Sequence, residues 1–440
     1  MKKVLILAYD FPPYVSVGGL RPYSWYKYFK EFGLYPIVVT RQWENKYGNQ
    51  LDYIAPSECN KTIIEEAEFG TIIRTPYKPN LSNRLLIKYG EKRFRLLRKI
   101  ITAYYEFMQF VFFVGPKSGL FFGAKEYIKA NKVDYIIATG EPFVLFKYAS
   151  SLSATFKIPW IADYRDPWSQ NKIRSANLLL YIYNRYNEKK FIKNANQIIT
   201  VNDFFVHKIR ALINNKNVSI VANGFDPEIQ AECLKVSQTS TKLSIAFVGT
   251  VYPWHPIASV LEVLDNFVKA GKDDIILNFY GINNSKQIEK HLEMLPYIKA
   301  NVKIHDKVPY EIMMRRLAEN NLLLLFNYYS FIGTKIYDYL AANRKILFCY
   351  SEDANAEKLK NEYFVLDDKK WSHHTPQEDL IRLTQSGIIV KDEEHLFNVL
   401  AELCSEFDAK SYIENNAIGV ENYSRKVQSK ILANLIKENY

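Results

Sequence analysis

Two consecutive doubly wound α/β domains are the fold class that this sequence predicts. Three observations lead there. From Asp134 onward, short apolar runs of strand length alternate with helix-length stretches. A polar segment, residues 237–242 (SQTSTK), interrupts that rhythm, which restarts at Leu243. Residues 321–350 read as a complete strand, loop, helix, strand unit. The chain has 440 residues, which suits two domains. We assign residues 1–236 to the first and 242–419 to the second, and expect a last helix at about 420–440 to pack back on the first.

Residues 4–8 are an apolar first strand. The loop 9–20 (YDFPPYVSVGGL) follows, stiffened by Pro12 and Pro13, with Gly18 and Gly19 allowing close backbone approach to a ligand. Residues 21–32 read as a helix ended by Gly33, and 35–40 (YPIVVT) as the second strand. No G-x-G-x-x-G is present, which disfavours a dinucleotide site and a nicotinamide oxidoreductase. The next clear strand is 135–138, so the residues between read as a long irregular insert. Its part at about 80–122 carries Arg84, Lys88, Lys92, Arg93, Arg95, Arg98 and Lys99, then an aromatic-apolar run at 104–113. That pairing suits an anionic membrane surface or a lipid-linked acceptor. The competing reading is a solvated basic face beside an ordinary core helix.

The regular rhythm then runs as strand 134–139, loop Gly140-Glu141-Pro142, helix to about 156, strand 158–162 and loop 163–168 (DYRDPW). A helix over 177–193, a strand over 197–201, an Asn202-Asp203 cap, a helix to about 213 and a strand over 218–221 complete the first half. In the second half, strand 243–248 meets the loop 249–256 (GTVYPWHP) and a helix over 257–270. Strands follow at 275–280 and 302–305, then Val308-Pro309 and a helix over 310–320. Strand 321–326 precedes a short helix that opens after Gly333-Thr334 and breaks at Asn343, and strand 345–350 comes next. Short strands at 363–365 and 387–390 and helices at 393–407 and 420–437 close the chain.

The formal net charge is +11, which favours an anionic partner. No nucleic-acid-binding module can be read, so nucleic acid is not expected. Cys59, Cys233, Cys349 and Cys404 are scattered without a C-x-x-C pair, which argues against a disulfide framework or a zinc site and fits a reducing cytoplasm. The start, MKKVLILAYD, is too short for a signal peptide, and residues 101–115 are too short to span a bilayer. Gly333 and Thr334 at a helix start offer free N–H groups and a partial positive charge, and Lys335 adds a full one. A cation there opposes the helix dipole unless an anion is bound, so the pattern suggests a phosphate. Asp338, three residues on, could face the same ligand. The competing reading is an exposed Lys–Asp pair on an ordinary helix.

Five stretches, in this order, carry a family resemblance: FPPYVSVGGLRP (11–22), WIADYRDPW (160–168), VANGFDP (221–227), FVGTVY (247–252) and GTKIYDYLAANRKIL (333–347). Together they resemble the GT-B glycosyltransferases, specifically the retaining family-4-like group, over most of the chain except roughly residues 45–115. The resemblance implies two Rossmann-like domains facing each other across a central cleft. It implies a nucleotide-diphosphate sugar on the second domain and a glycan or lipid-linked glycan acceptor on the first. Gly333, Thr334 and Lys335 would then hold the diphosphate, Lys335 also stabilising leaving-group charge, with Gly18 and Gly19 approaching it from the other domain. Gly249, Thr250 and His255 would form the phosphate loop, where the family usually has a basic pair. Val308 would meet the base through backbone atoms. Asp338 stands where the family usually has a Glu for the ribose, and Ser330 where its second Glu stands.

On the acceptor side the candidates are Arg21, Asp163 and Arg165, with Glu141 and Asp166 orienting the acceptor hydroxyl or stabilising charge at the anomeric carbon. Local capping and pairing are the competing roles for these residues. The group's reaction is a same-face displacement that requires neither a protein nucleophile nor a metal, so no cofactor is expected. The expected function is sugar transfer in bacterial surface glycan synthesis (capsule, lipopolysaccharide or exopolysaccharide), at the cytoplasmic side and peripheral to the membrane. The alternatives are a catalytically degenerate nucleotide-sugar-binding or partner protein, and a sugar-nucleotide epimerase.

Overall fold

The computed structural model of the protein describes residues 1–14, 16–44, 50–170, 177–272, 274–329, 331–355, 358 and 375–438. The chain forms two compact units: Met1–Ala222 with Gln428–Tyr440, and Asn223–Val427.

The first unit is built on an eight-stranded sheet in the order β3-β4-β2-β1-β5-β6-β7-β8. Its strands are β1 (Lys2–Leu7), β2 (Leu34–Arg41), β3 (Ile63–Ala67), β4 (Gly70–Thr75), β5 (Tyr135–Thr139), β6 (Trp160–Tyr164), β7 (Gln197–Thr200) and β8 (Val218–Ile220). All neighbours pair in parallel except the β3–β4 edge. Helices α1 (Val17–Tyr28), α2 (Gln50–Ile54), α3 (Leu81–Tyr89), α4 (Arg95–Met108), α5 (Ser118–Ala130), α6 (Val144–Phe156), α7 (Leu178–Ile192) and α8 (Asp203–Leu212) accompany it. β1 shows why this sheet is covered on both faces. Leu5 and Leu7 join a core with Val39, Phe146 and Ile209, while Val4 and Ile6 join another with Trp25 and Phe29. Leu432, Ala433 and Ile436, near the chain end, complete that second core.

Two sequence expectations need correction. The first helix begins at Val17 rather than 21, because Ser16 caps it by accepting from the Gly18 N–H. Gly18 and Gly19 are therefore helical residues of its first turn. The supposed irregular insert also supplies β3 and β4. β3 carries exposed Glu65 and Glu66 and lies at the sheet edge, where charge blunts further pairing, so it has no apolar run to read.

The second unit holds a six-stranded parallel sheet in the order β11-β10-β9-β12-β13-β14. Its elements are α9 (Pro227–Cys233), β9 (Leu243–Val248), α10 (Ile257–Lys269), β10 (Ile275–Tyr280), α11 (Ser285–Leu292), β11 (Val302–His305), α12 (Tyr310–Glu319), β12 (Leu322–Phe326), α13 (Lys335–Ala342), β13 (Lys345–Cys349), α14 (Pro376–Thr384), β14 (Gly387–Ile389) and α15 (Glu393–Lys410). The last helix, α16 (Arg425–Glu438), passes from this unit into the first. The strand expected at 363–365 and the departure at Ser330 lie outside the described residues. Strand order reverses between β1 and β5 in one unit and between β9 and β12 in the other. Ligands of such sheets bind beyond the strand C-termini at those reversals.

Candidate functional site

In the second unit the reversal brings together the loops after β9 and β12 and the N-terminus of α13. Gly249 has φ +84°, which glycine adopts without strain and so makes the turn, and a Cβ there would stand in ordinary contact 3.9 Å from Lys335 Cε. Thr250 is exposed. Gly333 also has positive φ, and nothing lies within 4 Å of where its Cβ would be. Thr334 is exposed and makes no side-chain cap; in the first turn of α13 the Tyr337 N–H donates to Thr334 O at 3.1 Å, which leaves those of Lys335 and Ile336 to meet a ligand.

Lys335 is half-buried, with Nζ 3.8 Å from the centre of the Phe247 ring. Among the described residues no carboxylate forms an ion pair with it. Burial pulls its ammonium down to about 7, and Asp338 only partly opposes this. Asp338 is instead held by Tyr310, whose hydroxyl donates to Oδ1 at 2.7 Å. Burial raises the Asp338 carboxyl, with Tyr310, Arg425 and Lys335 offsetting part of that rise. Tyr310 follows Val308 by two residues, so this bond ties the turn after β11 to α13.

His255 is buried. The Tyr252 N–H donates to its Nδ1 at 3.3 Å, which leaves the proton of the neutral ring on Nε2. Nε2 is buried with no hydrogen-bond partner. Burial first, and then the Lys335 charge, hold this histidine well below its usual range. It is therefore a neutral donor, and supplies no second cation to the loop. Beside it, Tyr252 and Trp254 stack at 4.5 Å, and Tyr328 closes on Trp254 at 5.7 Å. Tyr310 and this aromatic wall escaped the sequence reading, although the cluster WH at 254–255 and the pair YY at 328–329 were visible signals.

In the first unit the reversal gathers the loop after β1, the N-terminus of α1, and the loops after β5 and β6. A Cβ on Gly18 would stand 2.8 Å from both Arg165 Nη1 and Asp10 Oδ2 and would push these side-chain ends aside, and one on Gly19 would stand a tight 3.3 Å from the Asp10 backbone. Arg165 bolts the loops together, donating from Nε to Gly140 O at 2.8 Å and from Nη1 to Gly18 O at 2.7 Å. Glu141 is exposed and Asp166 half-buried, both on these loops. Arg21 and Asp163, expected to grip an acceptor, are buried against each other. Nε of Arg21 donates to Asp163 Oδ1 at 3.0 Å, and Nη1 donates to Val221 O at 2.7 Å and Ala222 O at 2.9 Å. The guanidinium clamps α1 to β6 and to the end of β8. Asp10 was not foreseen as a site residue. The Ser16 hydroxyl donates to its Oδ2 at 2.8 Å, its Oδ1 is buried without a partner, and burial raises its pKa against the pull of Ser16 and Arg165.

A cavity of about 540 Å³ opens beside this loop cluster, lined by Phe11, Tyr23, Tyr26, Trp43, Glu58 and Arg74 among others. Phe11 meets Tyr26 edge-on at 5.6 Å, and Arg74 donates to Pro12 O at 3.4 Å. The pocket is walled by aromatic faces with carboxylate and guanidinium groups at its rim, a composition typical of small-ligand sites. Ile63, Ile72 and Arg74 of its wall come from β3 and β4, and residues 42–44 and 57–59 from the segments beside these strands, which explains why the sequence did not announce it.

No family model matches the chain, and no curated protein does. Among solved structures, sucrose-phosphate synthase from Thermosynechococcus elongatus superposes with a TM-score of 0.59 at 13% identity, covering 100% of this chain and 99% of that one. The fold is GT-B. A glycosyltransferase from Rickettsia africae ESF-5 gives 0.56 at 12%, covering 100% and 98% of the two chains. HepE from Anabaena, in complex with UDP-glucose, gives 0.52 at 11%, covering 100% of both. At these identities the GT-B likeness describes the fold, which this chain shares with known glycosyltransferases.

Proposed function

We propose that the protein is a retaining glycosyltransferase of the family-4-like group that takes its sugar from a nucleoside-diphosphate sugar. The observation that carries the reading is Lys335, a half-buried ammonium at an open helix N-terminus without a carboxylate partner among the described residues. Such a site favours a dianionic ligand, and a departing diphosphate is one. Neighbouring GT-B structures were solved with UDP-glucose and with UDP and glucose, which supports a nucleotide-sugar donor here.

In the proposed step the bond from the anomeric carbon to the phosphate oxygen breaks, and an acceptor hydroxyl oxygen bonds to the same face of that carbon. The hydroxyl proton passes to the departing phosphate. Lys335 and the N–H groups after Gly333 and Thr334 receive the developing charge, and no metal enters the step. His255 donates from Nε2, Asp338 and Tyr310 bind the ribose, and the turn at Val308 meets the base. In the first unit Glu141 and Asp166 orient the acceptor hydroxyl, and Arg165 positions their loops. Arg21 and Asp163 act as a buried brace beneath them. The aromatic pocket takes the acceptor, a saccharide end, which fits surface glycan synthesis.

The deciding experiment is a thermal-shift series with UDP, GDP, ADP and CMP on wild type and Lys335→Ala. A ligand at about a hundred times its dissociation constant stabilises by roughly 3 kcal/mol. One diphosphate is expected to raise the wild-type melting temperature by several degrees and the variant's much less. No shift with any nucleotide would sink the donor-site assignment. The neutral His255 in place of a basic pair favours one second reading, a nucleotide-sugar binder without turnover. Nucleotide binding without release of a labelled sugar to any saccharide acceptor would select it.

A further inference from the structure

We propose that α4 and the start of α7 form an interfacial membrane-binding face that seats on an anionic phospholipid surface. This inference does not depend on the transferase reading. α4 is a 14-residue helix with no buried residue. Leu96, Ile100, Ala103, Tyr104 and Phe107 recur at the spacing of one helical stripe, and they do not face a core. Leu96 is 73% exposed, Ile100 59% and Tyr104 57%. The stripe continues past the helix end through Val111 and Phe112, both more than half exposed.

α7 extends the same surface. Leu178, Leu179, Ile182 and Tyr186 share one side of its first half and are all strongly exposed. The Phe107 and Tyr183 rings meet at 4.7 Å, and the Tyr183 hydroxyl donates to Phe107 O, so the two helices are neighbours. A contiguous apolar patch of this extent is unusual on a protein surrounded only by water.

Charge identifies the occupant. Arg95 and Lys99 lie on the flank of the α4 stripe, and Arg84, Lys88, Lys92 and Arg93 are exposed on α3 and the turn joining it to α4. Glu91 in the turn and Glu106 on α4 are the exposed acidic residues of this surface, so the six cations outnumber them. A rim of cations around Leu, Ile and aromatic side chains matches the headgroup and upper acyl region of an anionic leaflet. A second copy of this chain would carry the same cations and be repelled. Among the described residues no helix is long and apolar enough to cross a membrane, so the attachment is in the plane of the surface.

The test is co-sedimentation of the full chain with vesicles of phosphatidylcholine alone and with one third phosphatidylglycerol, at low and high salt. Sedimentation velocity runs alongside. Wild type is expected to bind the anionic vesicles at least tenfold better than the neutral ones. Arg95→Glu/Lys99→Glu should lose at least tenfold, and added salt should mimic that loss, because each cation near the surface contributes about fivefold. Leu96→Glu/Ile100→Glu should abolish binding at every salt concentration. Both variants alter exposed positions and should keep the wild-type melting temperature, which shows that they fold. Equal partition of wild type and Leu96→Glu/Ile100→Glu would overturn the proposal. So would a self-associated wild type that the same variant converts to monomer, since the face would then be a contact between copies.

Discussion

Lys335 sits where folding works against its own charge. Its ammonium titrates near 7 in the folded chain, against about 10.4 for an unfolded lysine. Between those values the unfolded chain holds a proton that the folded chain has released. The contribution of this residue to stability therefore rises with pH from about 7 to about 10, and its penalty is fully present below 7. A bound diphosphate favours the charged form and moves the titration back up. Binding of UDP at pH 8 should therefore take up a proton, and affinity should fall as pH rises from 7.5 to 9. Calorimetry in buffers of different ionisation enthalpy measures that uptake, and Lys335→Met should remove it. Arg21 makes the contrasting case. Its guanidinium is committed to Asp163 and two carbonyls in the interior, so Arg21→Met leaves a buried carboxylate without its counter-ion. A loss of about 3–5 kcal/mol is expected in chemical denaturation, with Arg21→Lys intermediate because it keeps the charge and loses the fork.

At the scale of elements, both candidate sites depend on short segments that turn sharply at strand ends. Gly249 sits in the left-handed region, so Gly249→Ala should cost about 1–2 kcal/mol in thermal melts through backbone strain, while its Cβ would only touch Lys335 Cε. Element boundaries were least legible where side chains reach back along the chain. Ser16 starts α1 one turn earlier than the pattern of residues 21–32 announces, which moves Gly18 and Gly19 from a loop into a helix. The hairpin β3–β4 was illegible for a different reason. Glu65 and Glu66 remain in solvent at the sheet edge, so no burial selects an apolar pattern there, and β4 alone reads as an isolated GTIIRT.

Across the whole molecule, each unit carries its own strand-order reversal and therefore its own candidate ligand crevice. Hydrogen exchange should separate them. UDP is expected to protect residues 249–256 and 333–338 in the second unit. A saccharide acceptor should protect Phe11 and residues 42–44 and 57–63, around the aromatic pocket of the first. Protection of neither region by its ligand would contradict the division of labour between the units. The division into two α/β units, the Gly-Thr-Lys start of α13 and the basic-aromatic insert were legible in the sequence alone. They follow from local patterns, because apolar periodicity and turn residues act over a few positions. The tertiary structure decided the rest: the burial of Arg21 on Asp163, the near-neutral titration of Lys335, the donor state of His255, the Tyr310–Asp338 bond and the aromatic pocket. Each is set by neighbours remote in the chain, and burial and partnering, which govern charge, exist only once those neighbours are packed together.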